Sequence, residues 1–358
     1  MFCYIHIPFC ESRCKYCRFS TFVENDNLKK QFYVDFLVKS IENNNLGFKI
    51  QESNLKSIYF GGGTPTSLSN IQLLSIIQTL KEKFNFSHNI EITLETTPNN
   101  ITSKNLEEWD KMGINRLSLG IQTLNNNALN EIGRIDKNEI FEKLNLLRLS
   151  KIKNISVDFI IGLPYVNKGE TFKDISYILD NYSFVKHISL YMLEDYYDYP
   201  ESWQKLSIKE EDFLGEYVMC KNYLEEKGFY RYELSNFAKK DFQCKHNKAY
   251  WNHSELIAFG LSAHGFLNNT RYTYPNTFSK YYTGLIEFDE KLSKKDIFLE
   301  KVMFGLRTNG LEKDIYEKLN MLKINEFING KMLEIKNNKL IIKDIGVVIL
   351  DYIIKEIL

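Results

Sequence analysis

Near its start the chain reads Cys10-Glu11-Ser12-Arg13-Cys14-Lys15-Tyr16-Cys17, directly after the strand-like run Phe2–Ile7. Three closely spaced thiols in a chain with six cysteines indicate a shared metal, because thiolates favour iron–sulfur clusters and zinc. A structural zinc site needs four ligands, whereas three cysteines on a cluster leave one iron open to an exchangeable ligand. Catalytic zinc and a chance grouping of small buried residues are the alternatives at this point.

Length and charge limit the class of protein. The 358 residues are enough for one large α/β domain and a smaller one. Lys and Arg number 46, as do Asp and Glu, so the net charge gives no overall attraction to nucleic acid or to an anionic membrane. No apolar run reaches membrane-spanning length. We therefore expect a cytoplasmic protein with no membrane segment and no nucleic-acid partner, in a reducing compartment that favours metal binding over disulfides.

Strand-like and helical patterns alternate along the first part of the chain, which predicts parallel βαβ units. The six strand-like runs are Phe2–Ile7, 56–60, 90–94, 115–119, 155–160 and 187–192. Ser69, followed three residues later by Gln72, predicts a capping box at the start of the second helix. We expect an α/β fold with a partial (β/α)6 barrel of the TIM type.

The distinctive residues lie at the ends of successive strands, which favours a barrel over a doubly wound sheet. They are the cysteine loop, the turn Gly61-Gly62-Gly63-Thr64-Pro65, Glu95, Gln122, Asp158 and Tyr191-Met192. In such barrels the carboxyl ends of the strands form one face, the mouth, where functional groups gather. Consecutive glycines also let backbone amides approach a ligand closely. Taken singly, each feature has a plain alternative, such as a solvated carboxylate or a tight turn.

We expect two domains, a barrel with its cysteine loop at 1–228 and a smaller, mostly helical domain at 229–358. Helical runs at 294–306, 311–319 and 347–357 with a short strand at 340–343 fit a winged-helix-like arrangement. Balanced charge and the absence of an Arg/Lys stripe favour packing against the barrel over DNA binding. The segment 232–274 is expected to cover the barrel mouth.

Several stretches together resemble the radical S-adenosylmethionine (SAM) superfamily. They are 4–10, the C-x3-C-x2-C loop, 61–65, 113–122, 132–134, 158–164, 232–238 and 304–307. Within that superfamily they are similar to the branch that contains oxygen-independent coproporphyrinogen III oxidase and the HemW haem chaperones. The resemblance extends over nearly the whole chain.

The resemblance implies that Cys10, Cys14 and Cys17 ligate a [4Fe–4S] cluster whose open iron binds SAM. It implies a SAM site lined by Tyr4, the Tyr16 backbone, Gly62, Gly63, Thr64, Glu95, Gln122, Arg134 and Asp158. Carboxylate, amide and guanidinium groups suit the charged ends of methionine and the ribose hydroxyls. Reductive cleavage of the sulfonium would then give a 5′-deoxyadenosyl radical, with the cofactor supplying the difficult chemistry.

Two features separate the oxidase from the haem chaperones. The oxidase branch has a Cys shortly after the third ligand and a long N-terminal arm, whereas here Arg18 and Phe19 follow Cys17 and three residues precede Tyr4. The segment from Cys244 to Trp251 also resembles the H-N-x-x-Y-W signature of haem binding in HemW-type proteins. The resemblance thus implies a haem chaperone that passes haem to an acceptor protein, membrane-associated acceptors included. The alternative is oxygen-independent coproporphyrinogen III oxidase.

His246 is the implied haem ligand, since an imidazole can bind haem iron and the nearby aromatic rings can pack on a macrocycle. His253 and His264 are alternative ligands, and Cys244 is a minor candidate for a second ligand or a covalent link. Without the resemblance, the segment fits a hydrogen-bonded structural corner. Cys3 and Cys220 are expected to serve packing.

Overall fold

The computed structural model describes residues 1–43, 54–194 and 196–358. Its strands are β1 (Phe2–Ile7), β2 (Phe9–Cys10), β3 (Phe22–Val23), β4 (Leu55–Gly62), β5 (Phe86–Thr96), β6 (Arg116–Gln122), β7 (Asn154–Ile161), β8 (Val185–Met192), β9 (Tyr230–Arg231), β10 (Asn236–Ala238), β11 (Leu256–Phe259), β12 (His264–Leu267), β13 (Thr270–Thr273), β14 (Phe288–Lys291), β15 (Leu311–Glu312), β16 (Leu333–Lys336) and β17 (Lys339–Ile342).

The helices follow the same numbering. They are α1 (Asn27–Asn43), α2 (Asn70–Lys83), α3 (Ser103–Met112), α4 (Asn126–Glu131), α5 (Lys137–Leu149), α6 (Glu170–Asn181), α7 (Glu201–Leu206), α8 (Phe213–Glu226), α9 (Lys245–Trp251), α10 (Phe278–Tyr281), α11 (Lys294–Arg307), α12 (Lys313–Tyr316), α13 (Met321–Asn329), α14 (Asp344–Val347) and α15 (Leu350–Ile357). Among the described residues, no helix has both the length and the apolar character needed to cross a membrane.

Seven strands run parallel in the order β11-β1-β4-β5-β6-β7-β8. The six predicted strands are β1 and β4 to β8, and their predicted parallel order is confirmed. The antiparallel strands β12 to β14 continue the sheet on one side, and β10 and β9 continue it on the other. The expected α/β class and partial barrel are therefore confirmed, and β11 is a seventh parallel strand that the sequence analysis did not predict.

Side chains alternate between two environments along each parallel strand, because successive residues point to opposite faces. The outer face is apolar and buried in the main hydrophobic core; examples are Ile5, Phe60, Leu94, Leu119, Phe159 and Leu190. The inner face is polar, and its side chains bond across neighbouring strands, as Tyr59 does with Glu95. The barrel interior is therefore lined with groups that can bind a polar ligand.

The sheet continues beyond the predicted boundary between residues 228 and 229, because β9 to β14 belong to it. A second hydrophobic core forms within residues 302–357. We refer to residues 294–358 as the C-terminal unit. The two-domain division at 228 stays a prediction.

The C-terminal unit has the element order of a winged helix, with α11, β15, α12 and α13 followed by the hairpin β16–β17. It packs against the end of α9, where the Phe304 ring lies 5.5 Å from the Trp251 ring between centroids. Glu300 on α11 contacts both His253, at 2.7 Å, and Arg271. These contacts hold the unit against the end of α9, the residue His253 that follows it, and strand β13.

Candidate functional site

The glycine turn at the end of β4 is held against the end of β1. The Gly63 amide donates to the Ile7 carbonyl at 2.8 Å. Gly62 has a φ of +109°, and a Cβ there would lie 2.5 Å from Cε1 of His6. A Cβ on Gly63 would lie 2.6 Å from the Phe9 carbonyl oxygen. Only glycine fits this close packing, and it places the turn beside the cysteine loop.

Glu95 lies at the end of β5 and faces this turn. The Tyr59 hydroxyl donates to Glu95 Oε1 at 2.7 Å, and the Gly62 amide donates to Oε2 at 3.3 Å. The pKa of Glu95 is raised to about 7, mainly by burial and in part by the charge of Asp158, against the two hydrogen bonds, which lower it. A carboxylate in this position can accept an ammonium group of a ligand.

Asp158 on β7 lies in the same interior. It accepts hydrogen bonds from Ser118 Oγ at 3.3 Å and from Ser156 Oγ at 3.4 Å. Burial raises the pKa of its carboxyl group, and these hydroxyls oppose the rise. The structure thus brings together four of the predicted site residues, Tyr4, Gly62, Glu95 and Asp158.

A second group of predicted residues surrounds the cysteine loop. The Thr64 hydroxyl donates to Cys10 Sγ at 3.6 Å. Arg134 Nη2 donates to the Tyr16 hydroxyl at 3.1 Å, and its guanidinium also contacts Cys14. Gln122 ends β6 in the left-handed region, at φ +74°, where the strand pairing shifts by one residue.

The thiols of the cysteine loop and the polar groups around it show whether the predicted cluster and SAM fit this site. No three His, Cys, Asp or Glu side chains in the described ranges are grouped around one metal position. A [4Fe–4S] cluster does not need such a group, because each thiolate binds a different iron. The three thiols are free and partly exposed on one loop, and the buried Arg134 Nε has no hydrogen-bond partner among the described residues. Together with the glycine turn, these donors fit a cluster and a ligand with charged ends.

A cleft of about 600 Å³ opens beside the cysteine loop. Cys14 and Cys17 line it together with Tyr199 and Trp203 from the region after β8. The Tyr199 hydroxyl donates to the Tyr16 carbonyl at 2.8 Å, which fixes this region against the loop. The cleft gives solvent access to two of the three thiols.

Helix α9 carries His246 and lies at the opposite end of the barrel. His246 Nδ1 lies 2.9 Å from Ser57 Oγ near the amino end of β4. The Glu91 carboxylate accepts the amides of Lys245 at 2.9 Å and His246 at 3.3 Å. The expectation that this segment covers the mouth is therefore wrong for α9, because a buried carboxylate holds the start of the helix at the amino ends of the strands.

The environment of His246 constrains what it can bind. The residue is 2% exposed, and burial lowers the pKa of its imidazole to about 3, with Arg116 acting in the same direction. Its Nε2 has no partner among the described residues. An imidazole with one nitrogen held and the other available matches the pattern of metal-binding histidines. In this conformation, however, α9 keeps that nitrogen inside the barrel.

The alternative haem ligands have other contacts. His253 faces Glu300, and His264 Nδ1 lies 2.8 Å from the Thr273 hydroxyl. Cys244 is fully buried, its thiol donates to Glu91 at 3.5 Å, and burial raises its pKa to about 12. A thiol in this state serves packing better than ligation. Cys3 and Cys220 are also buried.

Several interior residues were missed by the sequence analysis. They are Ser57, Tyr59, Glu91 and Arg116, all on the inner face of β4, β5 or β6. The signal was the alternation of β4, in which Ser57, Tyr59 and Gly61 share one face. Extending the inward register from the glycine turn back along β4 places Ser57 and Tyr59 on the inner face, and the same step from Glu95 back along β5 places Glu91 there, although it does not give their partners.

Residues 4–178 match the radical SAM superfamily. The chain is 34% identical to heme chaperone HemW of Buchnera aphidicola subsp. Schizaphis graminum, across 73% of this chain and 69% of that protein. It belongs to the HemW family of radical SAM proteins. A HemW from Lactococcus lactis is 31% identical, across 92% of this chain and 90% of the relative. The predicted family is confirmed, and a radical SAM domain implies a [4Fe–4S] cluster and SAM.

A solved structure shows the same fold as this member of the HemW family. Coproporphyrinogen III oxidase (HemN) from Escherichia coli, described as a radical SAM enzyme, superposes with a TM-score of 0.81. The match covers 99% of this chain and 88% of the oxidase, at 19% identity. This likeness establishes a common architecture, including the C-terminal unit, and does not choose between the two activities.

Proposed function

We propose that this protein binds haem and passes it to an acceptor protein, and that it carries a [4Fe–4S] cluster and SAM. The observation that carries the proposal is its identity of 30% or more with several proteins named heme chaperone HemW, one of them matched along 92% of this chain. The HemN likeness supports the architecture only. Coproporphyrinogen III oxidase activity therefore remains the alternative function, and no observation favours it.

Cys10, Cys14 and Cys17 would hold the cluster, which supplies an electron to SAM when both are bound. Support comes from three free thiols on one loop, with Thr64 and Arg134 in contact with them. Tyr4, the Tyr16 backbone, Gly62, Gly63, Thr64, Glu95, Gln122, Arg134 and Asp158 would line the SAM site. Glu95 would hold the ammonium group, and the narrow glycine turn would let the backbone approach the ligand.

The haem would engage α9. His246 is held neutral with Nε2 unpartnered among the described residues, and the neighbouring Tyr250 is 44% exposed. Direct ligation of iron by His246 requires α9 to leave Ser57 and Glu91. We propose a cytoplasmic location, supported by six free cysteines, and a haem-accepting protein as the partner.

Anaerobic reconstitution with iron and sulfide tests the cluster. Wild-type protein should bind both, and Cys14→Ala should lose most of the cluster absorbance because one thiolate ligand is gone. Cys220→Ala, which removes a buried thiol on α8, is the matched control and should load normally. A Cys14→Ala protein with a complete cluster would contradict the ligand assignment.

Titration with haem tests the proposed haem binding. The intact protein should give a Soret band, and His246→Ala should shift or weaken it, whereas His88→Ala, at an exposed histidine on β5, should not. Incubation of the cluster-loaded protein with coproporphyrinogen III, SAM and a reductant separates the alternative. Formation of protoporphyrinogen would favour the oxidase, while haem uptake without that product would support the chaperone.

A further inference from the structure

The side chain of Tyr59 contacts both ends of the barrel interior. Its ring lies 5.0 Å from the His246 ring between centroids, on the side of α9. Its hydroxyl donates to Glu95 Oε1 at 2.7 Å, on the side of the mouth. Ser57 and Gly61 flank it on the same face of β4, about 13 Å apart along the strand. One residue thus links helix α9 to the glycine turn.

The packing around this link leaves little room for independent movement. A Cβ on Gly61 would lie 3.0 Å from the Tyr59 ring, 3.1 Å from the Tyr4 ring and 3.2 Å from the Glu95 carboxyl carbon. The Tyr4 ring is also stacked near Tyr59, at 6.2 Å, and lies 6.1 Å from His246. Because close-packed interiors transmit small displacements, a shift of His246 must be accommodated by Tyr59 and Tyr4.

The last step connects Tyr59 to the backbone of the turn. Glu95 uses one oxygen for the Tyr59 hydroxyl and the other for the Gly62 amide. Loss of the hydroxyl would leave the carboxylate held by a single, longer bond. The orientation of Glu95, and with it the position of the Gly62 amide, therefore depends on where the Tyr59 ring lies.

We propose that Tyr59 is a positioning residue that couples the seating of α9 to SAM binding at the mouth. With α9 seated, His246 and Ser57 hold the amino end and Tyr59 holds Glu95 towards the ligand. When α9 leaves to engage haem, Tyr59 loses its neighbour and Glu95 loses a fixed partner. Because coupling is reciprocal, bound SAM opposes release of α9, and release of α9 weakens SAM binding.

This inference rests on the proposed function, since it takes the mouth to be the SAM site. It makes no use of haem in its test, so the two can fail separately. Absence of a Soret band in the wild type would overturn haem binding and leave the coupling standing. Absence of SAM binding to the cluster-loaded wild type would overturn the assigned SAM site and the coupling, and would leave haem binding untouched.

A double-mutant cycle on the cluster-loaded protein measures the coupling through the SAM Kd. His246→Ala should raise the Kd about 5-fold, and Tyr59→Phe about 10-fold, since it removes a hydrogen bond to a charged group. The double variant should match Tyr59→Phe, because the effect of His246 passes through Tyr59. A double variant whose Kd increase equals the product of the two single increases would overturn the proposal. An unchanged Kd in His246→Ala would overturn it as well.

Two further variants guard against simple loss of folding. Ser57→Ala removes the contact to His246 Nδ1 and should raise the Kd in the same direction with little change in packing. Tyr217→Phe is the matched control, because the buried Tyr217 hydroxyl on α8 donates to the Leu234 carbonyl at 2.8 Å. A SAM Kd raised equally by Tyr217→Phe would show a general effect of tyrosine loss and would overturn the proposal.

The pH profile of SAM binding distinguishes positioning from general damage. Charged or titratable groups that face Glu95 are Tyr4, Tyr59, Arg116, Asp158 and Tyr191. Of these, Tyr59 donates to the carboxylate, so Tyr59→Phe should move the midpoint of SAM binding to higher pH. Hydrogen exchange of the cofactor-free protein gives an independent readout, in which His246→Ala should speed exchange in residues 61–64. An unmoved midpoint together with unchanged exchange would overturn the proposal.

Discussion

Glu95 is a buried carboxyl group in an environment that disfavours its charged form. Its folded pKa of about 7 lies above the ordinary 4.5, because burial disfavours the carboxylate. Between these two values the unfolded chain has lost the proton that the folded protein keeps. The free energy of unfolding therefore falls as pH rises from about 4.5 to about 7, and the loss is complete above that range.

Glu95→Gln should remove this loss. We expect the cofactor-free variant to be more stable than the wild type at pH 8, by about 1–3 kcal/mol, and similar to it at pH 4.5. Urea unfolding at both pH values measures the difference. Glu142→Gln, at an exposed position on α5, is the control and should leave the pH dependence unchanged. Equal slopes for Glu95→Gln and the wild type would contradict the shifted pKa.

A comparison of alanine substitutions at Gly62 and Gly133 distinguishes the cost of backbone strain from the cost of steric conflict. Both have positive φ, at +109° and +79°, but a Cβ on Gly133 would meet no atom within 4 Å. Gly133→Ala should cost about 1 kcal/mol of unfolding free energy, whereas Gly62→Ala should cost roughly 3 kcal/mol or more, because its Cβ meets the His6 ring. Thermal unfolding of the two variants measures this, and equal costs would argue against the close packing of the turn.

Residues at the carboxyl ends of strands could be found from the sequence because their position follows from the strand pattern. The glycine turn, Glu95 and Asp158 were predicted this way, and the structure brings them together. Tyr59 was not, because an aromatic residue in a strand matches an ordinary core position equally well. Its role depends on the pairing of β4 with β5, which sequence periodicity does not specify.

Among the elements, α2 shows that local chemistry is predictable. The sequence places a capping box at Ser69, and the structure confirms both bonds: the Gln72 amide donates to Ser69 Oγ at 3.3 Å, and the Ser69 amide donates to Gln72 Oε1 at 2.9 Å. Such caps depend on residues within four positions, so no distant contact can obscure them.

Ser69→Ala should cost about 1 kcal/mol of unfolding free energy, because the Gln72 amide loses its acceptor. Ser176→Ala, within α6, is the control and should be neutral or slightly stabilising, since alanine favours helix interiors. Urea unfolding curves of the two variants give the comparison. A Ser69→Ala protein as stable as the Ser176→Ala protein would contradict a contribution of the cap.

Helix α9 shows the limit of local inference. Its residues were identified, but its place was predicted at the wrong end of the barrel. The deciding contact is the Glu91 carboxylate at the start of the helix, which is 154 residues away in sequence from Lys245. The strand β11 was missed for a similar reason, since its four residues pair with β1 across the chain.

At the scale of the whole molecule, the C-terminal unit secures the segment that carries α9. Glu300 is almost buried and joins His253 to Arg271, while Phe304 packs on Trp251. Removal of Glu300 would leave the His253 imidazole and the Arg271 guanidinium without this acceptor. The unit therefore contributes to keeping α9 in the barrel.

Glu300→Ala should loosen this contact. We expect faster amide hydrogen exchange in residues 245–253, with little change in the barrel strands, because the loss is local to the interface. Glu317→Ala is the control, since Glu317 forms an exposed pair with Lys313 within the C-terminal unit. Unchanged exchange in 245–253 for Glu300→Ala would show that α9 is held by Glu91 and Ser57 without help from the unit.

The pairing of β1 has a consequence for synthesis of the chain. One edge of β1 pairs with β4, but the other pairs with β11, which ends at residue 259. A nascent chain thus exposes one edge of its first strand until about residue 259 has left the ribosome. The cysteine loop attached to that strand is made first, yet its support is completed late. Long-range closure of this kind slows folding, so stable cluster insertion should follow the emergence of β11 from the ribosome.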